Sequence, residues 1–393
     1  MPTEHLFHYP VAILCLLGVF YWFRYSYRTH TPLKSGDDIK LVTLLFVCVF
    51  LPMVVSLTDA FNFGHAVKTT ISYVHFLPAA LYITVVCRDA ESRPILLKTV
   101  GIMLGVLVID ALIQFFTGTN LLGYSRDSVV LTGIFDANQR LGLVLALFLP
   151  LVLYGLHTRH HWGWWKWSFL VPYAVVVLLS LKRSAWVMLI VGAGLYVLCF
   201  IQLSTVSWRT KMLVPLCAAA VGLGVAYFVP SVGKTLDTTI GAMSADFETL
   251  DIATSRRLTL WDTGKNIAQS HPINGVGPRG YRYAYKHYAE QGDFWIEQNG
   301  KGQTHPHLMG LEVLVETGLI GLCGLMLFLY LLTQNMFRRA RSEPLGAIWL
   351  ALALVAWFPL NTHLAFYGSY WSTFAWLFIA IGASNSAQTQ SYA

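Results

Sequence analysis

Apolar residues along this chain fall in long blocks separated by short polar stretches. The blocks run approximately over 9–25, 40–58, 68–87, 95–116, 140–157, 166–182, 184–203, 211–229, 308–335, 345–361 and 366–384. Each is close to the roughly 17 to 25 residues that a helix needs to cross a bilayer. In hydrocarbon a backbone must satisfy its own hydrogen bonds, so blocks of this length predict helices. The pattern therefore predicts an all-α integral membrane protein with about 11–12 transmembrane helices. The first block starts at Pro10 and runs on into Tyr21, Trp22, Phe23 and Arg24. That reads as a retained span, with no cleavable signal peptide.

One hydrophilic stretch is much longer than the rest. It divides the chain into N-terminal transmembrane helices (1–229), a large loop (230–307) and C-terminal transmembrane helices (308–393). Within the loop, Leu258, Trp261 and Ile267 stand among polar positions around Arg256–Gln269, which predicts an amphipathic helix. Gly275, Gly277, Pro278 and Gly280 then mark a turn. A loop this long with internal structure is more often functional than idle.

Composition agrees with the pattern. Of 393 residues, 55% are hydrophobic and 12% charged, against about 25% charged in soluble domains. The six cysteines (Cys15, Cys48, Cys87, Cys199, Cys217 and Cys323) lie in or beside apolar blocks without CxxC spacing. A disulfide framework and a zinc site are not expected. The net charge of +7 is spread over loops, with no basic tail and no nucleic-acid-binding motif. An anionic lipid-borne partner fits it better than nucleic acid.

Short-loop Lys and Arg set the orientation. Arg24, Arg28, Lys34, Lys40, Arg88, Arg93, Lys98, Arg159, Lys166, Arg209, Lys211, Arg338, Arg339 and Arg341 lie on one side; Lys68, Arg126, Arg140, Lys182 and Arg183 lie on the other. Fourteen against five makes the first side cytoplasmic. With eleven spans the N-terminus is outside, the C-terminus inside, and the large loop faces the periplasm or cell exterior.

Basic residues nevertheless gather on that outer face: Arg126, Arg140, Lys182, Arg183, Arg256, Arg257, Arg279, Arg282, Lys286 and Lys301. Lys182-Arg183 occupies a tight connection between two apolar blocks, and charges at a membrane edge tend to mark a substrate path. The planar guanidinium fork suits phosphate oxygens. The competing reading has these side chains snorkel to lipid headgroups or pair with Asp246, Glu248, Asp251 and Asp262. A second feature is Thr304-His305-Pro306-His307, directly before a span. Imidazole there suits a general base. No carboxylate or cysteine stands at ligand spacing, so no metal is expected. P-loop, Rossmann and Gly-x-Ser-x-Gly motifs are all missing.

Several segments together resemble the superfamily of O-antigen ligases and polymerases. His307 is followed by nine residues after Leu308 and then by Gly318-Leu319-Ile320-Gly321, the spacing of that family's His and Gly-x-x-Gly signature. Leu308 stands where the family carries a polar residue. Arg257-Leu258-Thr259-Leu260-Trp261 resembles the family's Arg-Leu-x-x-Trp segment, and His271-Pro272-Ile273-Asn274-Gly275-Val276-Gly277 its His-Pro-x-x-Gly-x-Gly turn. Leu181-Lys182-Arg183-Ser184-Ala185-Trp186 resembles the arginine that opens a central span, and Gly133-Ile134-Phe135-Asp136-Ala137-Asn138 is similar more weakly.

The resemblance implies transfer of a glycan from undecaprenyl diphosphate to an acceptor hydroxyl, at the periplasmic face of the inner membrane, with neither cofactor nor metal. It implies His307 as general base with His305 as helper or rival. Arg183 and Arg257 are implied at the diphosphate, with Arg256, Arg279 and Lys182 behind them. Arg126, Arg140 and Arg282 are expected to meet the acceptor or lipid headgroups. Direct displacement at the anomeric carbon implies inversion. A ligase acting on lipid A-core oligosaccharide is favoured, because a single dominant loop rich in arginine suits two large anionic lipids. A polymerase joining lipid-linked repeat units is the alternative. A protein O-oligosaccharyltransferase resembles longer chains. A transporter or flippase of an anionic lipid is the reading from another class, and the internal repeats usual in transporters are missing.

Overall fold

The computed structural model describes residues 8–29, 36–89, 91–126, 130–159, 163–201, 247–362 and 365–385, with the isolated positions 161, 237 and 241. Every named element among them is helical. Ten of the eleven expected spans coincide with an apolar helix; the eleventh, 211–229, lies outside the described residues. Five of the ten stretches are long and apolar enough to cross a membrane by length and composition: Asp37–Asp59, Phe63–Val86, Ser92–Thr117, Leu141–Thr158 and Met309–Ser342. The protein is an all-α integral membrane protein.

The chain divides into two compact units. The first comprises Met1–Ser92, Thr254–Met336 and Ala356–Ala393. Its N-terminal helices are α1 (His8–Thr29), α2 (Asp37–Val55), α3 (Phe63–Tyr73) and α4 (Phe76–Val86). Sequence hydropathy predicts one span over 68–87, but the helix breaks between α3 and α4. Pro78 has no N–H to give the Val74 carbonyl, so the first turn of α4 starts afresh there. Gly18 of α1 lies on the Pro78 carbonyl, where a Cβ would collide. The last helix of the chain, Ser369–Ala383, packs against α4 and α2. Its Trp376 packs tilted against Phe46 (5.4 Å) and edge-on against Trp357 (5.3 Å) in an aromatic core and donates to the Tyr73 hydroxyl at 3.1 Å.

The second unit comprises Arg93–Ala253 and Phe337–Val355. It contains α5 (Ser92–Thr117), α6 (Leu141–Thr158), α7 (Leu170–Leu179), α8 (Arg183–Ile201) and α9 (Phe247–Ala253). From Leu141 to Leu151 every residue of α6 is buried, with α8 and α7 against it. A helix apolar all round is buried all round. At the end of α5, Gln114 accepts from the Gly133 amide (2.9 Å) and Asp110 from the Leu121 amide (2.9 Å). Those two side chains pin the connection that carries Arg126. Elsewhere in the unit Glu343 binds both Arg93 and Arg339, and both arginines are buried.

Candidate active site

The large loop folds into helices α10 (Arg257–Ser270), α11 (Tyr281–Tyr288) and α12 (Phe294–Asn299), all in the first unit. The expected amphipathic helix is α10, and it buries Leu260, Gly264, Ile267 and Ala268, one stripe at helical spacing. Val276, Tyr281, Ala284 and Tyr285 complete that small core. The Tyr281 hydroxyl donates to the Leu260 carbonyl (2.9 Å) and the Tyr285 hydroxyl to Asp293 (2.8 Å). Burial pushes the Tyr281 phenol well above its ordinary range.

Helix α13 (Met309–Ser342) begins beside this core and is broken at Gly318, which sits at φ 64°, ψ −163°. The single span expected over 308–335 is therefore two pieces, Met309–Thr317 and the apolar stretch that follows. The turn at 271–277 docks into the break. The Leu319 amide donates to the Pro272 carbonyl (2.8 Å), the Ile320 amide to the Ile273 carbonyl (3.3 Å), and the Val276 amide to the Val315 carbonyl (2.9 Å). A Cβ on Gly318 would fall on the Ile273 carbonyl, and one on Gly275 would lie 2.5 Å from the Val315 oxygen. Only glycine allows backbone to approach backbone this closely. The two glycine motifs read from the sequence are the two halves of one joint.

Met309–Thr317 carries functional groups at both ends. Glu312 in its first turn and Glu316 near its C-terminal end, four residues apart on one face, are each 0% exposed. Glu316 accepts the Arg279 amide at 2.6 Å, and Glu312 accepts the Phe366 amide at 2.9 Å. Both carboxylates feel the charges of Arg279 and Arg282. Arg279 is in the left-handed region (φ 61°). Arg282, on α11, has its Nε and Nη2 buried without a hydrogen-bond partner. Burial and then the charge of Arg279 lower the proton affinity of the Arg282 guanidinium, while Glu316 and Glu312 act to raise it. His65 on α3 feels the same two arginines and meets the Tyr283 ring edge-on at 5.2 Å.

The N-terminal end holds the His-Pro-His segment. Rings of His305 and His307 lie 3.9 Å apart, and His307 is held at φ 51°. A bulky residue kept at positive φ marks local strain, which clusters at functional sites. Trp261 Nε1 donates to the Pro306 carbonyl at 3.1 Å. Arg257 stands one turn before Trp261 on α10 and donates to the Thr362 hydroxyl at 2.9 Å. Asn361 next to it accepts the Met309 amide at 3.1 Å. Arg257, the imidazole pair and residues 361–362 thus share one end of a helix about 13 Å long, at 1.5 Å per residue. The Arg279–Arg282 group lies toward the other end.

The remaining expected residues are placed differently. Arg256 lays its guanidinium over the Phe294 ring, 4.8 Å from the centroid, and its carbonyl accepts from Trp295 at 3.1 Å. It faces α12, and Arg257, its neighbour, takes the bond to Thr362. Lys182, Arg183, Arg126 and Arg140 belong to the second unit. Lys182 and Arg183 open α8 after Leu181 turns the chain at φ 51°. Arg183 Nη1 donates to the Ala253 carbonyl at the end of α9. Arg126 covers the Phe115 ring at 5.1 Å, and Arg140 precedes α6 with its carbonyl accepting the Val144 amide. For Arg279 and Arg282 the neighbouring carboxylates are Glu312 and Glu316, which the sequence reading had given no role. Their signal was available: two glutamates four apart inside an apolar block are expensive in a membrane and call for a function.

Residues 168–326 match the family model described as O-antigen ligase. The match includes Lys182, Arg183, the His-Pro-His segment, the glutamate pair and the break at Gly318; Arg126, Arg140 and Thr362 fall outside it. Among curated proteins none matches the chain. The matched segment holds both glycine motifs and both ends of the short helix, so the part of this membrane protein that carries the candidate site is similar to the O-antigen ligase family, whose ligase- or polymerase-type function it supports.

Proposed function

We propose that the protein transfers an O-antigen glycan from undecaprenyl diphosphate to a sugar hydroxyl of lipid A-core oligosaccharide, at the periplasmic face of the inner membrane. The observation that carries this reading is the shared anchoring of Arg257 and the imidazole pair, through Trp261–Pro306 and Arg257–Thr362, at one end of Met309–Thr317. In the proposed step His307 takes the proton of the acceptor hydroxyl. The hydroxyl oxygen attacks the anomeric carbon as its bond to phosphate breaks, and the bonding pair leaves on undecaprenyl diphosphate. One displacement inverts the anomeric centre. Arg257 and Arg279 neutralise charge on the leaving diphosphate, the kind of electrostatic stabilisation that weighs most in such reactions, and Arg282, expected from the sequence at the acceptor or headgroups, joins them because it stands in the field of Arg279. His305 orients His307 or substitutes for it. Arg183 and Lys182 enter on the resemblance of their segment as further diphosphate ligands, and Arg126 and Arg140 as headgroup or acceptor contacts. Arg256, turned toward Phe294, has a secondary part.

The test combines purified protein, undecaprenyl-diphosphate-linked glycan and lipid A-core, with EDTA present. Laddered lipopolysaccharide with an inverted linkage by NMR is expected, and longer lipid-linked chains would instead establish a polymerase. His307→Ala should lower transfer by roughly 10²- to 10⁴-fold, the usual worth of a general base, with donor binding retained. Loss of lipid movement without loss of transfer chemistry would point to a flippase.

A further inference from the structure

Glu312 and Glu316 are the most deeply buried charged groups beside the arginine pair, and neither is consumed by the proposed chemistry. Each uses one carboxylate oxygen for a backbone amide (Phe366 and Arg279), and each keeps its Oε1 buried with no hydrogen-bond partner. Arg282 likewise keeps Nε and Nη2 buried and unpartnered. Two acids and two guanidiniums therefore sit within electrostatic reach of one another without forming a contact ion pair. Tyr281 and Tyr367 are the other titratable groups in reach of the acids, with His65 behind the arginines. An acid that merely neutralised an arginine would close onto it in a forked pair. These are instead tied to backbone, which fixes their position and leaves the guanidinium donors for another anion.

We propose that Glu312 and Glu316 are positioning residues that hold Arg279 and Arg282 at a reduced net charge, so that the pair accepts a lipid diphosphate and also lets the lipid diphosphate product go. The proposal rests on the reading that these arginines meet the diphosphate. Donor and product share that group, so any excess of positive charge would trap the product. The glutamates set the compromise.

The full-length protein in detergent is assayed with inorganic pyrophosphate, both by calorimetry and as an inhibitor of transfer. The buffer is held at about pH 9.5, far enough above the ordinary carboxylate range that both acids are ionised in their buried setting. Glu316→Gln keeps an acceptor for the Arg279 amide and removes one charge. Pyrophosphate should bind it about tenfold tighter than wild type, as expected for one unit charge in a half-buried site. The KM for donor and kcat should fall together, whereas structural damage would lower kcat without tightening binding. Glu312→Gln should act in the same direction, and Glu316→Asp should return pyrophosphate affinity to within roughly threefold of wild type. If both glutamine variants bind pyrophosphate no more tightly, or fail to accumulate as folded protein, the proposal is overturned. Arg282→Ala separates the two levels. Weaker pyrophosphate binding in that variant, with no tightening in the glutamine variants, sinks the glutamate role alone. Unchanged binding in Arg282→Ala removes the diphosphate reading of this pair and the glutamate role with it.

Discussion

Replacing Gly318 with alanine is expected to unseat the joint between the loop and α13. Gly318 occupies φ 64°, ψ −163°, a region open essentially to glycine, where another residue costs about 1–3 kcal/mol. The added methyl would also land on the Ile273 carbonyl and lie 2.6 Å from the Asn274 nitrogen. Relief requires the 271–277 turn to retreat, which weakens the Leu319–Pro272 and Ile320–Ile273 hydrogen bonds. Each is worth about 0.5–1.5 kcal/mol net. The total is about 2–6 kcal/mol, concentrated where Arg279 is aimed by its amide bond to Glu316. The detergent-solubilised variant should lose at least about 5 °C of apparent melting temperature and most of its transfer activity. Gly101→Ala, on α5 with nothing within 4 Å of the added methyl, serves as the control and should match wild type in both assays. If Gly318→Ala melts and turns over like wild type, the close backbone approach is not what the glycine is for.

Three further outcomes are expected. Arg257→Lys retains the charge but loses the fork that reaches Thr362, and should cost roughly 10²-fold in kcat/KM for the lipid donor, measured by product formation. Trp261→Phe removes the bond to the Pro306 carbonyl; a loss of about 1 kcal/mol in stability and about tenfold in transfer should follow, and an unchanged rate would show that His-Pro-His needs no tether. Glu343→Gln leaves Arg93 and Arg339 buried without their shared carboxylate, so folded protein recovered after mild heating should drop, in line with the roughly 3–5 kcal/mol cost of breaking a buried pair.

Hydropathy made the spans legible because burial in lipid constrains composition over a whole segment. It could not show where a span is interrupted. The break between α3 and α4 depends on one proline, and the break at Gly318 on a turn more than forty residues earlier in the chain. The motif segments were legible as well, but two of them carry backbone architecture more than chemistry. Gly275 abuts the backbone at 315–317 and Gly318 that at 273–274, which spacing along a sequence cannot reveal. The resemblance ranked Arg257 ahead of Arg256, but only the left-handed turn at Ser255 and Arg256 gives the reason, sending one toward Thr362 and the other toward Phe294. Glu312 and Glu316 escaped notice because their partners lie some thirty to fifty residues away, at Arg279 and Phe366.

The turn at 271–277 is strung between segments from opposite ends of the chain. Asn274 binds Thr58 and Asp59, the Val276 carbonyl takes the Phe61 amide, and residues 315–320 close over the other side. During synthesis the first of these anchors emerges long before the turn and the last only afterwards. The loop must therefore wait, half-moored to the N-terminal helices, until α13 is delivered. Settling of the loop is then a late event of biogenesis, and a chain stalled short of Gly318 carries Arg183, Arg257, Arg279 and Arg282 and no assembled joint.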